Sequence, residues 1–169
     1  TLKKKGSTFD VWNTMPDGTG TYFIPGQNYA NLITAGEITL YAQWTSNNYT
    51  VELNPNGGEL GSVTVVNVNF DSPMPALTGK GELPTRTGYT FIGYFDSREG
   101  GTQYYNADGT STRTWDKDYA TLIYAHWTPN KYTVTLDPNS GQAGSTTQVT
   151  ATFDAAMPAL IAQGELPTK

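Results

Sequence analysis

The sequence of 169 residues contains no cysteine and a single histidine. Without thiols there is no disulfide framework, no thiolate nucleophile and no Cys-ligated zinc, and a cysteine-free chain folds in either redox compartment. Charge is scarce as well: charged side chains make up 15% of the residues, with ten basic against fifteen acidic and a net charge of −5. That balance lacks the clustered basic footprint that phosphate backbones require, so no nucleic-acid partner is expected. The one basic run, Lys3-Lys4-Lys5, reads as a solvated face. No apolar stretch approaches the ~18 residues that cross a bilayer. The opening TLKKKGSTFD has no apolar run of the signal-peptide kind, so a soluble chain with no membrane insertion is expected.

Residues that bend the backbone or suit a pleated surface are abundant instead. There are 18 Gly, 10 Pro and 27 Thr, with 11 Tyr, 6 Phe and 4 Trp. β-Branched and aromatic residues favour strands, so the composition predicts a mostly β fold.

Internal repetition is the strongest signal in the order of residues. The 38 residues from Tyr49 align without a gap with the 38 from Tyr132, with 22 identities and a period of 83. LYAQWTSNNY, holding Trp44, matches IYAHWTPNKY, holding Trp127, at the same spacing. GSTFDVWNTMPDGTGTYF from Gly6 parallels GYTFIGYFDSREGGTQYY from Gly88, displaced by 82. The chain divides accordingly into the C-terminal half of a repeat (1–48), a complete repeat (49–131) and the N-terminal half of a following one (132–169). A period of 83 is too long for a solenoid unit, which cannot bury its own apolar face, and long enough for a small core of its own. Beads in series are expected, joined by TPNK (128–131), where Pro129 limits their relative freedom.

Within the complete repeat the periodicity is two. Tyr49 to Leu53 and Val66 to Phe70 alternate apolar and polar residues, and the turn-rich NPNGGELGS between them predicts a hairpin. Prolines 73, 75 and 84 leave the following crossover room for one helical turn at most. YTFIGYFD, TQYY and ATLIYAHW complete five strand candidates, with turns at Gly100-Gly101 and Asp108-Gly109.

Comparing the copies weighs the chemical candidates. His126, the sole imidazole, has Gln43 at the matching position, so a proton-transfer or metal role in every module is excluded and a polar strand residue is expected. Asp116 and Asp118 match Ile33 and Ala35 and supply too few oxygens for a calcium loop, so they are expected in a solvated loop. Asp71 with Asp154 and Glu82 with Glu165 do recur, each beside turn residues, and suit turn hydrogen bonding or capping. No Ser sits in a nucleophile elbow and no glycine-rich run matches a phosphate loop. Catalytic residues, cofactor-binding residues and metal ligands are therefore all assigned as none, and no enzyme is expected. A Lys–Asn isopeptide crosslink would need a Lys, an Asn or Asp and a buried Glu to meet, and no recurring lysine supports one. Trp44 and Trp127, Trp12 opposite Tyr94, and Trp115 opposite Leu32 read as core filling. Tyr104-Tyr105 and Tyr22-Phe23 are adjacent strand residues, so one of each pair is expected to point outward or into a second layer.

The ordered series YTVELNPNGG, LPTRTGYTF, GYTFIGYF, GGTQYY and TLIYAHW resembles the Listeria–Bacteroides repeat, or internalin B-repeat, family across nearly the whole chain. The family's closing Leu-Tyr-Ala-x-Trp pattern is met fully at Leu40 to Trp44 and with Ile123 for Leu at Tyr124 to Trp127. The resemblance implies tandem small β-grasp-like modules with a short or vestigial helix. It also implies a non-enzymatic stalk, spacer or adhesive role in an extracellular bacterial protein, at the cell surface or secreted. Neighbouring repeats in the same or adjacent chains are the expected partners. Strand complementation between half repeats would give head-to-tail filaments; alternatively, the half repeats are excision points in a longer polypeptide. The alternative is a carbohydrate- or receptor-binding module that presents outward aromatics to a host or cell-surface glycan or protein.

Overall fold

In the computed structural model, residues 2–29, 36–160 and 166–168 are described. Their strands run in chain order as β1 (Ser7–Asn13), β2 (Tyr22–Phe23), β3 (Tyr41–Ser46), β4 (Asn48–Asn54), β5 (Val65–Asn69), β6 (Tyr89–Phe95), β7 (Gln103–Asn106), β8 (Thr121–Pro129), β9 (Lys131–Thr135) and β10 (Gln148–Thr152). The chain is mostly β, and the described residues hold essentially no helix.

The alternation from Tyr49 to Leu53 and around Val66 and Val68 does what period-two patterning should. β4 and β5 pair antiparallel, with Tyr49 opposite Val68 and Val51 opposite Val66, and Val51, Leu53, Val66 and Val68 are buried on one face. β6, β7 and β8 form where the second half of the repeat predicted them. Together these strands make a five-stranded sheet in the order β5-β4-β8-β6-β7. Its central pair, β4 and β8, is parallel, with Leu53 opposite Ile123, and the remaining pairs are antiparallel.

Residues 71–88, which cross over between β5 and β6, contain turns and no helical turn. The expectation of a short or vestigial helix is corrected there. Prolines 73, 75 and 84 deny the run its amide donors, and the carbonyls are used individually instead: Pro75 accepts from the Tyr105 hydroxyl at 2.7 Å. Met74 and Leu77 from this crossover cover the sheet and close a core with Tyr94, Tyr104, Tyr105, Trp115, Ile123 and Ala125.

A three-stranded sheet, β2-β1-β3, precedes this one, and the β9–β10 hairpin follows it. The connectors are shorter than TPNK suggested. Pro129 belongs to β8 and pairs with Tyr89, leaving one residue, Asn130, between β8 and β9, just as Asn47 alone separates β3 from β4.

Candidate functional site

Among the described residues, two ion pairs lie close together where Asp96, just past β6, meets the segment that returns across β7. Lys117 Nζ stands 2.9 Å from Asp96 Oδ2, and the Thr102 amide donates to Asp96 Oδ1 at 2.7 Å. The Tyr104 hydroxyl donates to Asp116 Oδ1, and the Arg113 guanidinium donates to Oδ2 at 2.6 Å. Trp115, fully buried, packs on the Tyr104 ring at 5.2 Å.

Asp96, Asp116, Lys117 and Tyr104 are each held in their ordinary charge state. Burial acts to raise the Asp96 pKa, but the Thr102 amide and the Lys117 ammonium outweigh it and the net shift is downward. Asp116 is likewise opposed by burial and lowered overall by the Tyr104 hydroxyl and Arg113. Burial acts to lower Lys117, and its bond to Asp96 raises it on balance. Burial and then Asp116 push Tyr104 up to about 12. A general base for neutral pH would need a carboxylate tuned upward, and these two move the other way. An amide crosslink between Lys117 and Asp96 would need a neutral amine and a protonated acid, and both shifts oppose that state. The cluster staples the segment around Trp115 to the sheet.

The placement of the predicted residues follows from this. Asp116 is corrected from a solvated loop residue to a half-buried anchor, while Asp118 is exposed. Tyr104 and Tyr105 are both fully buried, so neither supplies an outward ring. They do face opposite ways, and both directions are covered: Tyr105 meets Tyr94 at 6.2 Å, and Tyr104 meets the returning segment. Their counterpart Phe23 is buried and Tyr22 is exposed. Leu32, Ile33 and Ala35, the counterparts of Trp115, Asp116 and Asp118, lie outside the described residues, as does Glu165.

His126 stacks on Phe95 with centroids 4.1 Å apart, and its Nε2 lies 2.8 Å from the Ser97 carbonyl. A carbonyl only accepts, so Nε2 carries the proton and donates. Gln43 does the same in the earlier copy, donating from Nε2 to the carbonyls of Met15, the counterpart of Ser97, and Pro16 at 3.3 and 3.4 Å. Asp71 and Asp154 adopt left-handed φ values of 60° and 59°, the turn role expected of them. No group of three His, Cys, Asp or Glu side chains is placed to hold a metal ion among the described residues. None of the helices among them is long and apolar enough to cross a membrane.

Two copies of one sheet framework, with different polar residues set on it, describe a structural repeat, and the comparison with known proteins agrees. The sequence model of the Listeria-Bacteroides repeat domain matches residues 1–43 and 49–125. The chain belongs to this family. A protein of Evansella cellulosilytica that carries the name Gly-rich membrane protein is 28% identical over 83% of this chain and 16% of its own length. A second membrane protein by name, from the same organism, is 32% identical over 62% of this chain and 14% of its own. Internalin H of Listeria monocytogenes is 35% identical over 63% of this chain and 17% of its own. The chain thus spans about one-sixth of the length of each of these relatives. No solved structure matches it. In this Listeria-Bacteroides repeat chain the recurring residues are the ones that build sheets, turns and, as shown below, the contacts between repeats. Sequence reasoning missed those contacts: it took the recurring Phe-Asp pair for the aspartate alone.

Proposed function

We propose that this chain is a non-enzymatic structural segment of an extracellular bacterial surface or secreted protein, serving as a stalk or spacer that places other parts of that protein at a distance. One observation carries the reading. Across the copies the polar side chains change while the bond they make is kept, as with His126 and Gln43, whereas a catalytic or metal-binding role would fix the side-chain type. The family and the names of the relatives, one an internalin and two membrane proteins, support a place at the cell surface.

We further read the unit of residues 48–129 as a β-grasp-like module that has dispensed with the helix. A mixed sheet with its first and last strands parallel at the centre and a hairpin on either side supports this. Neighbouring repeats, in the same or an adjacent chain, are the partners favoured. An adhesive role through outward aromatics is less well supported, because the Tyr104-Tyr105 pair is buried and, of the second candidate pair, Tyr22 alone is exposed.

Two measurements test the spacer reading. The 169-residue chain, applied to a glycan array and to bacterial or host surface extracts, is expected to give no saturable ligand. When displayed between a surface anchor and a reporter, replacement by an unrelated folded array of equal length is expected to leave the reporter's reach unchanged. A saturable ligand, or a loss of function on replacement, contradicts the reading.

A further inference from the structure

Successive repeats are coupled through the same contact twice in this chain. Asn47 is the single residue between β3 and β4, and its two backbone groups belong to different sheets. Its amide donates to the Gly6 carbonyl at 2.9 Å, extending the β1–β3 ladder, while its carbonyl accepts from the Phe70 amide at 2.9 Å, extending the β4–β5 ladder. Asn130, between β8 and β9, repeats this with Gly88 at 2.9 Å and Phe153 at 2.8 Å. The side chains repeat it too. Asn47 Oδ1 accepts from the Thr8 hydroxyl at 2.6 Å and its Nδ2 donates to the Tyr49 hydroxyl at 3.3 Å; for Asn130 the partners are Thr90 at 2.7 Å and Tyr132 at 3.5 Å.

A ring on a glycine completes the contact. Phe70 and Phe153 leave the last strand of a hairpin and fold back over the repeat before, where each covers a glycine. A methyl group built on Gly6 would overlap the ring of Phe70, and one built on Gly88 would overlap the ring of Phe153. Both glycines have left-handed φ values, 61° and 78°, so a side chain is disfavoured by the backbone and by the ring alike. Phe70 is absent from the core cluster of its own module. Its apolar surface serves the neighbour. The aspartate after each phenylalanine, at φ 60° and 59°, is the turn that aims the ring.

We propose that these residues form a module-to-module joint that fixes the orientation of each repeat on the one before it, so that the array is stiff and of constant geometry. The partner is a further copy of the same module, presenting the Phe-Asp turn to the preceding Gly-x-Thr. A one-residue connector tied by backbone bonds to both sides has little freedom left, and the seated ring opposes rotation about it. Small polar inter-domain contacts by default leave relative motion free, and the glycine seat is what departs from that default. The proposal deepens the spacer reading and rests on it for its purpose, though not for its geometry.

The absence of cysteine makes the test direct. Spin labels on Thr64→Cys and Thr147→Cys, exposed positions one period apart, report the second joint in the full chain. Labels on Asp10→Cys and Thr64→Cys, also exposed, report the first. The expected result is a single narrow distance distribution for each pair, broadened at least about twofold by Phe153→Ala and by Phe70→Ala respectively, as a joint reverting to the default would show. The urea midpoint of the complete module, read at the buried Trp115, is expected to hold in the Phe70→Ala chain, which separates loss of the joint from loss of the fold. A broad distribution in the parent chain, or one that stays narrow in both variants, overturns the proposal. A ligand found on a glycan array would sink the spacer reading and leave these distances untouched.

Discussion

The sheet β1–β3 and the strands β6–β8 are two copies of one half-repeat, and they differ in what is laid on a shared frame. Phe9 meets Trp12 and Trp44 at 5.4 and 5.6 Å; Phe91 meets Tyr94 and Trp127 at 5.2 and 5.5 Å. Trp12 pairs with Ala42 and Tyr94 with Ala125, after an irregularity at the same place in each strand. The aromatic triad, the bulge and the joint glycine are common to both. The Asp96–Lys117 pair and the buried Tyr94 hydroxyl belong to the complete module, where the earlier copy has Thr14 and Trp12. Rings and backbone geometry define the repeat, and the polar chemistry on it is replaceable.

Alkali is expected to break the likeness most. Burial pushes Tyr94 up to about 12, burial and then Asp116 push Tyr104 up to about 12, and burial raises Tyr105 as well. A group whose folded pKa is raised contributes stability that is complete below its unfolded value near 10 and is lost as pH rises through the folded value. The complete module should therefore lose stability as pH rises from about 10 to 12. Trp12 and Phe23 stand at two of the three equivalent positions and cannot ionise. Urea denaturation against pH, followed by near-UV circular dichroism, checks this, and a midpoint that stays constant through that window would refute the burial assigned to the tyrosines.

The shared glycines give the next largest effect and sharpen the comparison. Gly6→Ala and Gly88→Ala each place a side chain at left-handed φ, costing about 1–2 kcal/mol before the ring is displaced. Urea denaturation should show similar losses for the two, and a cost at only one would mean the joints are not equivalent. Acid acts more weakly, through Asp96 and Asp116. Their lowered folded pKa values contribute stability that is present above the unfolded value near 4 and lost as pH falls through the folded ones. The complete module should therefore lose stability below about pH 4, and Lys117→Met should flatten that part of the profile.

Smaller effects concern single atoms. The Tyr94 hydroxyl is buried with no hydrogen-bond partner among the described residues. Tyr94→Phe removes that cost and should stabilise the module by about 1 kcal/mol in thermal unfolding. Smallest of all is His126→Gln, which installs the residue of the other copy with the same bond to the turn carbonyl. A change within about 0.5 kcal/mol is expected, and a larger loss would show that the stacking on Phe95 carries more than the hydrogen bond does.

Much of the frame was legible in the sequence because it rests on patterns that one chain can display. Alternation gave the β4–β5 hairpin, and turn residues marked the strand ends. The fate of Tyr104 and Tyr105 was not legible: alternation tells which side a residue faces, and cannot tell that a segment returning 12 residues later will cover the second side. Asp116 was misjudged for the same reason, since its partners Tyr104 and Lys5 are distant in sequence. The joint was half legible. Gly6, Gly88, Phe70 and Phe153 all recur, but a Phe at the end of an alternating strand reads as core, and only its position after the last ladder pair turns it toward the neighbour.

The most direct test of the coupled array is amide hydrogen exchange in the intact 169-residue chain at Asn47, Phe70, Asn130 and Phe153, whose N–H groups close the joints. If the repeats are locked, these four amides are protected to the level of strand residues such as Val51 and Val66. Exchange at the rate of an open linker, with the strands still protected, would contradict the account and leave independent beads on a flexible thread.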